Sequence, residues 1–290
     1  MPVLITALTI EVLVRHIPNR HQFQAEYLNV HAKDIETLII GSSHTLYGIN
    51  PEFIDGRVFN SSNVSQTIDL DLEILKRYGK DFTKLKHVII RLSYTTLFEK
   101  LSKSSEKWRM KDYAIYYDIE DGFSVSNNSE LISVKLKTNL KRIYKYYIQG
   151  ENTLNTSNLG WGTDANSSII KDLKKTGLEV AKKHTIIDQS LYNENLKTLE
   201  TIVEFCKIKN ITTFLVTLPG YESYASNLNS QQLAKTINTA QQIADDNDNC
   251  VYLNLLENDL FKSEDFFDGD HLNEKGAEKL SLLINKLLKH

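Results

Sequence analysis

Gly41-Ser42-Ser43-His44 and Asp268-Gly269-Asp270-His271-Leu272-Asn273 stand near opposite ends of the 290-residue chain. The first offers a hydroxyl straight after the apolar run Thr37-Leu38-Ile39-Ile40. The second offers an imidazole with a carboxylate three residues before it. A serine hydroxyl is a poor nucleophile near neutral pH and needs a base within hydrogen-bond reach. His271 is the candidate base for Ser43. Asp268 is the candidate to orient the ring and stabilise the imidazolium once it forms. Residues i and i+3 of a turn can share a face, so the spacing is physically sensible. Asp270 is the competing carboxylate, placed second because adjacent side chains diverge on most backbones. A helix starting at Ser43 would aim free amides at the same spot and favour developing negative charge. The bland alternative makes Asp268–Asp270 a plain turn, Asn273 a helix cap with Glu274 behind it, and Ser42 and His44 capping or surface residues. A Gly-Ser-Ser turn alone says little; the two motifs together argue for an enzyme.

These residues need elements to position them. Thr37–Ile40, Val58–Asn60, His87–Leu92, Thr212–Thr217 and Val251–Asn254 read as strands. Asp69–Tyr78, Asn195–Lys207, Gln231–Asp245 and Glu274–Leu288 carry helical periodicity. Strands alternating with helices predict an α/β three-layer sandwich around a central, mostly parallel sheet. In such sheets chemistry sits at the carboxyl ends of strands, which is where Ser43 falls. Residues 95–190 fit the rhythm poorly and read as an insertion, partly helical around Leu131–Tyr147, with Gly160-Trp161-Gly162 a turn. Residues 20–36 read as a polar approach segment with some helix.

Composition excludes several classes. A net charge of -3 gives no basic balance for nucleic acid. Cys206 and Cys250 make no disulfide scaffold and lack metal-site spacing, so both read as small buried hydrophobes. No metal-ligand cluster, phosphate loop or dinucleotide fingerprint appears, and no cofactor is expected. The run from Met1 to Arg15 is apolar but broken by Glu11. It is shorter than the roughly 20 residues of a spanning helix and lacks the marks of a signal peptide. It is either an amphipathic first helix or the remnant of a membrane anchor.

The Gly41-Ser42-Ser43 block, the block containing Asn60 and the closing Asp268-x-x-His271-Leu-Asn-x-x-Gly276 resemble the SGNH (GDSL-like) hydrolase superfamily. The resemblance spans residues 37–290 and implies a flavodoxin-like topology, Ser43 as nucleophile, His271 as base and Asp268 as its partner. The second block has no glycine, so a backbone amide of Ser61 or Ser62 would hold the oxyanion. The family's third block is absent. Leu92-Ser93-Tyr94 takes its place, with Asn63 or Ser93 as substitute donor. A missing donor costs about 3 kcal/mol of transition-state stabilisation. Arg15-His16-Ile17-Pro18-Asn19 is similar to the exit from the single anchor of envelope-associated bacterial members. That implies an extracytoplasmic or periplasmic face of the cell envelope and a membrane surface nearby. With the N-terminus complete as given, the expectation is cytoplasmic.

The expected function is acyl-ester hydrolysis or O-acyl transfer on an acylated envelope glycan or a small ester. A catalytically degenerate glycan-binding or assembly protein is the competing class. Trp108, Arg109 and Tyr221 are candidate substrate contacts. For Trp108 and the tyrosines at 113, 116 and 117, packing of the insertion is the stronger reading. Lys137, Lys141 and Lys145 would share a helix face, by default a solvated one.

Overall fold

Short apolar runs without a polar face form strands only where both faces are covered. The computed structural model, which describes residues 1–120, 122, 124–169 and 171–289, covers them in this way. In chain order its main elements are α1 (Pro2–Arg15), α2 (Arg20–His31), β1 (Thr37–Ile40), α3 (Ser43–Gly48), β2 (Val58–Asn60), α4 (Ile68–Tyr78) and β3 (His87–Arg91). Then come α5 (Met110–Tyr117), α6 (Glu130–Ser133), α7 (Leu136–Ile143), α8 (Leu173–His184) and α9 (Tyr192–Ile208). The chain closes with β4 (Thr212–Thr217), α10 (Glu222–Ala225), α11 (Ser230–Asp246), β5 (Cys250–Asn254) and α12 (Glu274–Leu287). Two compact units result, Met1–Val30 with Leu101–Asn155 and His31–Lys100 with Thr156–His290.

The second unit is an α/β domain. Its five strands are all parallel, in the order β2-β1-β3-β4-β5. This is the flavodoxin-like order expected from the sequence. The chain leaves β1 for β2 on one side, while β3 pairs on the other. The carboxyl end of β1 is therefore the switch point, the place where open α/β sheets put their ligand sites. Ile39, Ile89, Phe214 and Val216 pack on Leu280 and Ile284 of α12 in one buried cluster. Alternate residues, Leu38, Ile40, Val88 and Leu215, are fully buried as well and must point to the opposite face. Leu272 belongs to the α12 cluster, so the residue after His271 is anchored in the core.

The predicted strands match to within a residue at either end; three of the predicted helices extend by one to three residues, and the last ends one residue early, at Leu287. Residues 20–31 are a full helix rather than a partly ordered approach. The expected insertion at 95–190 (121, 123 and 170 lie outside the described residues) is shared out differently. Residues 101–155 belong with the N-terminal helices, while 156–190 belong to the sheet unit and include α8. The helix expected over 131–147 is broken at Val134, which is extended (φ -122, ψ 137). Asn139 Nδ2 closes the break by donating to the Glu130 carbonyl at 3.0 Å. Cys206 and Cys250 are free and buried, and burial pushes their thiols up to about 11 and about 12.

In the first unit, Glu11 explains its own intrusion into an apolar helix. Its carboxylate accepts from Ser129 Oγ at 3.0 Å and from the amides of Glu130 at 3.0 Å and Leu131 at 2.9 Å, while binding Arg15 Nε at 2.7 Å. It thereby caps the N-terminus of α6 from another helix. Burial opposes its charge, but these bonds hold it below the usual carboxylate range. Tyr113 and Tyr117 are buried and stacked, as the packing reading expects. Val3, Leu4, Ile5, Leu8 and Val12 of α1 stay more than half exposed. No helix among the described residues is long and apolar enough to cross a membrane.

Leu280 is wholly buried between α12 and the sheet. Leu280→Ala removes its packing and leaves a cavity, and is expected to cost about 2–5 kcal/mol, read as a lowered midpoint in urea unfolding.

Candidate active site

Ser43 is placed by a tight exit from β1. Gly41 sits at φ +132, and a Cβ there would lie 2.8 Å from both Arg91 Cβ and Thr45 Oγ1. Only glycine passes the chain that close to β3. The buried Asp71 carboxylate holds the Gly41 amide and accepts from Gln66 Nε2 at 2.6 Å. Burial, against those bonds, pushes it up to about 7. Ser42 then caps α3, its hydroxyl accepting from the His44 amide. Ser43 is the first helical residue, so its amide has no intrahelical acceptor.

A six-residue helix cannot stand on its own. Asn60, at the end of β2, donates from Nδ2 to the carbonyls of Thr45 and Ile49, each at 2.9 Å. Trp161 Nε1 donates to the Tyr47 carbonyl at 2.8 Å, and the Gly162 amide to that of Leu46 at 3.0 Å. The turn expected at Gly160-Trp161-Gly162 thus serves as a clamp on α3, the helix that begins at Ser43.

The loop bearing His271 is held from three sides. Asp268 Oδ1 accepts from the amides of Asp270 at 3.3 Å and His271 at 3.0 Å, curling the loop on itself. The Gly269 amide donates to Thr176 Oγ1 at 3.0 Å, and the Gly269 carbonyl accepts from the Tyr221 amide at 3.0 Å. Gly269 meets α8 at another glycine: a Cβ on Gly269 would lie 2.3 Å from Gly177 Cα. Asn273 caps α12, accepting from the amides of Lys275 and Gly276, as the bland reading anticipates.

These two supports bring Ser43 Oγ to 2.8 Å from His271 Nε2. On the other side of the ring, Nδ1 lies 2.9 Å from Asp268 Oδ1. It also lies 3.3 Å from Asp270 Oδ1. The sequence argument that adjacent side chains diverge does not hold here, because the curled loop turns both carboxylates toward one imidazole. With carboxylates facing Nδ1, that nitrogen carries the proton, and Nε2 of the neutral ring is free to accept from Ser43. Burial favours the neutral ring. The charge of Asp270 and the bonds to both carboxylates outweigh it, so His271 holds its proton well above the ordinary histidine value. The carboxylates respond in kind. Burial opposes their charge, but His271 holds Asp268 below its usual range and Asp270 well below it.

The polar shell extends further than the sequence reading. His44 is buried, not a surface residue. Its Nδ1 is 3.2 Å from Ser42 Oγ and its Nε2 3.4 Å from Asp270 Oδ2. Lys171 Nζ binds Asp268 Oδ2 at 3.1 Å. His184, at the end of α8, reaches Tyr224 Oη through Nδ1 at 3.3 Å. Thr176-Gly177 was the available signal for α8: an isolated glycine inside a helical pattern marks a close approach. His44, Asp270 and His271 also bring one donor atom each within 4.8 Å. His271 meets Ser43 through Nε2 and Asp268 through Nδ1.

The expected oxyanion donors are placed otherwise. The Ser61 amide donates to the Ile39 carbonyl at 2.8 Å, completing the β1–β2 pairing, and the Ser62 amide donates to Asn60 Oδ1 at 3.0 Å. The Asn63 amide donates to the Gly41 carbonyl at 3.1 Å. Each has an acceptor within the protein, and that of Asn63 holds the turn at Gly41. Ser93 turns on itself, with its amide on Thr96 Oγ1 and its hydroxyl accepting from Arg91 at 2.8 Å. Tyr221 packs its ring edge-on against Phe266. Trp108 and Arg109 belong to the other unit, where the guanidinium lies 4.5 Å above the indole and Nε binds Glu106 at 2.8 Å. Tyr47, one turn after Ser43, lies edge-on to the His271 ring, and Ser43, Tyr47 and His271 are partly exposed.

No protein-family model matches the chain, and no curated protein matches it. Among solved structures it is similar to a protein from Streptococcus pneumonia, provisionally described as a platelet activating factor. That match has 13% identity and a TM-score of 0.46, and covers 99% of this chain and 96% of that one. It is also similar to a provisionally described acylhydrolase from Bacteroides fragilis, at 12% identity and a TM-score of 0.43, covering 91% and 94%. Likenesses this distant carry nothing about chemistry.

A Cβ on Gly177 would lie 2.0 Å from Ser223 Oγ, so α8 must shift to take one. Gly177→Ala is expected to cost about 1–3 kcal/mol in urea unfolding and to displace the loop carrying Asp268. Fluorophosphonate labelling of Ser43 should slow by about tenfold or more, since near-ångström misplacement weakens a catalytic contact steeply.

Proposed function

We propose that this chain is a serine-dependent acyl-ester hydrolase or O-acyltransferase. The observation that carries the reading is the continuous contact Ser43–His271–Asp268, at 2.8 and 2.9 Å, at the carboxyl edge of a parallel sheet. His271 Nε2 takes the Ser43 proton as Oγ attacks the ester carbonyl. The tetrahedral intermediate collapses, and the imidazolium returns that proton to the leaving alcohol. The acyl-serine then passes its acyl group to water or to an acceptor hydroxyl, with His271 again taking the incoming proton. The Ser43 amide, free of helical partners, is the nearest oxyanion donor.

An acylated envelope glycan is the proposed substrate class on the strength of the SGNH resemblance. A location at a lipid surface has a second support. The apolar face of α1 is exposed, and Ile132, Leu136 and Leu140 of the same unit are exposed too. Exposed apolar patches mark interaction surfaces, and such a face suits a helix lying in a bilayer interface. A binding protein on the same scaffold is the second reading. The occupation of the Ser61, Ser62 and Asn63 amides by acceptors of the protein itself favours it.

Fluorophosphonate labelling with peptide mapping separates the two. The hydrolase reading expects label on Ser43, none in Ser43→Ala, and a rate at least about a thousandfold lower in His271→Ala. Absence of label across several probes sinks it. His271 must be neutral to take the proton, and its proton is held more tightly than in a free histidine. The labelling rate should therefore climb with pH, its midpoint above the ordinary value of about 6.5. Co-sedimentation with anionic lipid vesicles tests the surface reading. Binding should fall about tenfold in Leu4→Asp/Leu8→Asp, and protein that never sediments rules that location out.

A further inference from the structure

Asp270 is a buried carboxylate whose side chain is 2% exposed, and its partners are two imidazoles. One oxygen lies 3.3 Å from His271 Nδ1 and the other 3.4 Å from His44 Nε2. The two ring centroids stand 5.0 Å apart, and the carboxylate bridges a nitrogen of each. A buried charge needs a counter-charge or it neutralises. His44 is poorly placed to supply one, because burial drives its proton affinity down against the pull of Asp270. Neutral His44 can still serve: Nδ1 accepts from the Ser42 hydroxyl, and the Nε2 proton faces Asp270. The positive charge opposite Asp270 must then come from His271.

The surrounding groups leave this balance standing. Arg91 is the nearest fixed cation from β3, but it is bound to Ser93 and paired with Glu99 at 3.1 Å. Lys171 is spent on the outer oxygen of Asp268. His184 is held neutral by burial and turned to Tyr224, itself a neutral phenol. Tyr47 offers His271 only a ring edge. Asp268 and Asp270 thus share His271, yet they are not equivalent, because Lys171 serves Asp268 as well. Asp268 has the shorter contact with Nδ1 and is fixed by two backbone amides and a lysine. Asp270 has the longer contact and is fixed by His44.

We propose that the two carboxylates divide the work: Asp268 orients the ring, while Asp270, steered by His44 and Ser42, is a positioning residue that keeps His271 charged and so sets the pH at which Ser43 becomes nucleophilic. The last step rests on Ser43 being the nucleophile. Below that pH the imidazolium donates to Ser43 Oγ, and the hydroxyl is silent. Above it the ring is neutral and accepts. The Ser42-Ser43-His44 triplet therefore carries the nucleophile and two members of the relay that regulates it.

The test is a titration of 15N-labelled imidazole by NMR on the whole protein without substrate, with the His271 signal assigned by its loss in His271→Gln. In the wild type the His271 midpoint should stand at least about one pH unit, tenfold in proton affinity, above the ordinary value of about 6.5. In Asp270→Asn it should fall by about one unit or more. The pH profile of fluorophosphonate labelling should shift down by the same amount. In Asp268→Asn the plateau itself should drop, since a loosely held ring costs rate at every pH. A wild-type midpoint less than one unit above 6.5 overturns the proposal even if Asp270→Asn does not fold. So does an Asp270→Asn midpoint that stays put. A titration that behaves as expected in a protein that never labels would retain the electrostatic arrangement and remove the hydrolase reading, so the two fail separately.

Discussion

One contact organises this protein: the 2.8 Å approach of Ser43 Oγ to His271 Nε2, between residues 228 positions apart. Chain that distant meets only because a parallel sheet returns each strand to the same edge. β1 delivers Ser43 there, and the chain after β5 delivers His271. Leu272, buried beneath the loop, belongs to the cluster that packs the sheet on α12. The core that stabilises the fold therefore also fixes the base, and a hydrogen bond worth about 1 kcal/mol net inherits the rigidity of a whole domain.

The surroundings follow from the need to hold two irregular segments still. A glycine at φ +132 turns the chain out of β1, and Asp71, Asn60 and Asn63 bind the turn's backbone. On the other side, glycine meets glycine so that α8 can approach the Asp268 loop. The Ser61, Ser62 and Asn63 amides are likewise taken by acceptors of the protein itself. The same economy places two carboxylates on one imidazole. Asp268 shares His271 with Lys171 beside it, while Asp270 leans on His271, and the ring's proton affinity becomes a property of the loop rather than of the residue.

Much of this was legible beforehand, for specific reasons. Apolar runs of fixed length revealed β1 to β5, because parallel strands are buried on both faces and show it in composition. Ser43, His271 and Asp268 stood out because their types are scarce together after a strand end and before a helix cap. Asp270 and His44 were underrated for one cause. Spacing rules assume regular backbone, and Asp268 bends the loop by taking two of its amides. Residues 156–190 read as part of the insertion because a lysine-rich run with Gly177 inside it masks a helix whose role is to pass close to another segment. Ser61 and Ser62 failed as donors because no sequence rule shows which amides a neighbouring strand has already taken.

The sequence by itself determined the strand and helix order, the edge at which chemistry would sit, and the chemical types available there. Those depend on hydrophobic periodicity and local turn preference, which act over a few residues. Only the tertiary structure decided which carboxylate meets which imidazole, which amides remain free, and that α8 braces the catalytic loop. Those depend on ångström-scale contacts between segments far apart in the chain. There a side chain's partner is chosen by packing and by the demand that buried charges be balanced.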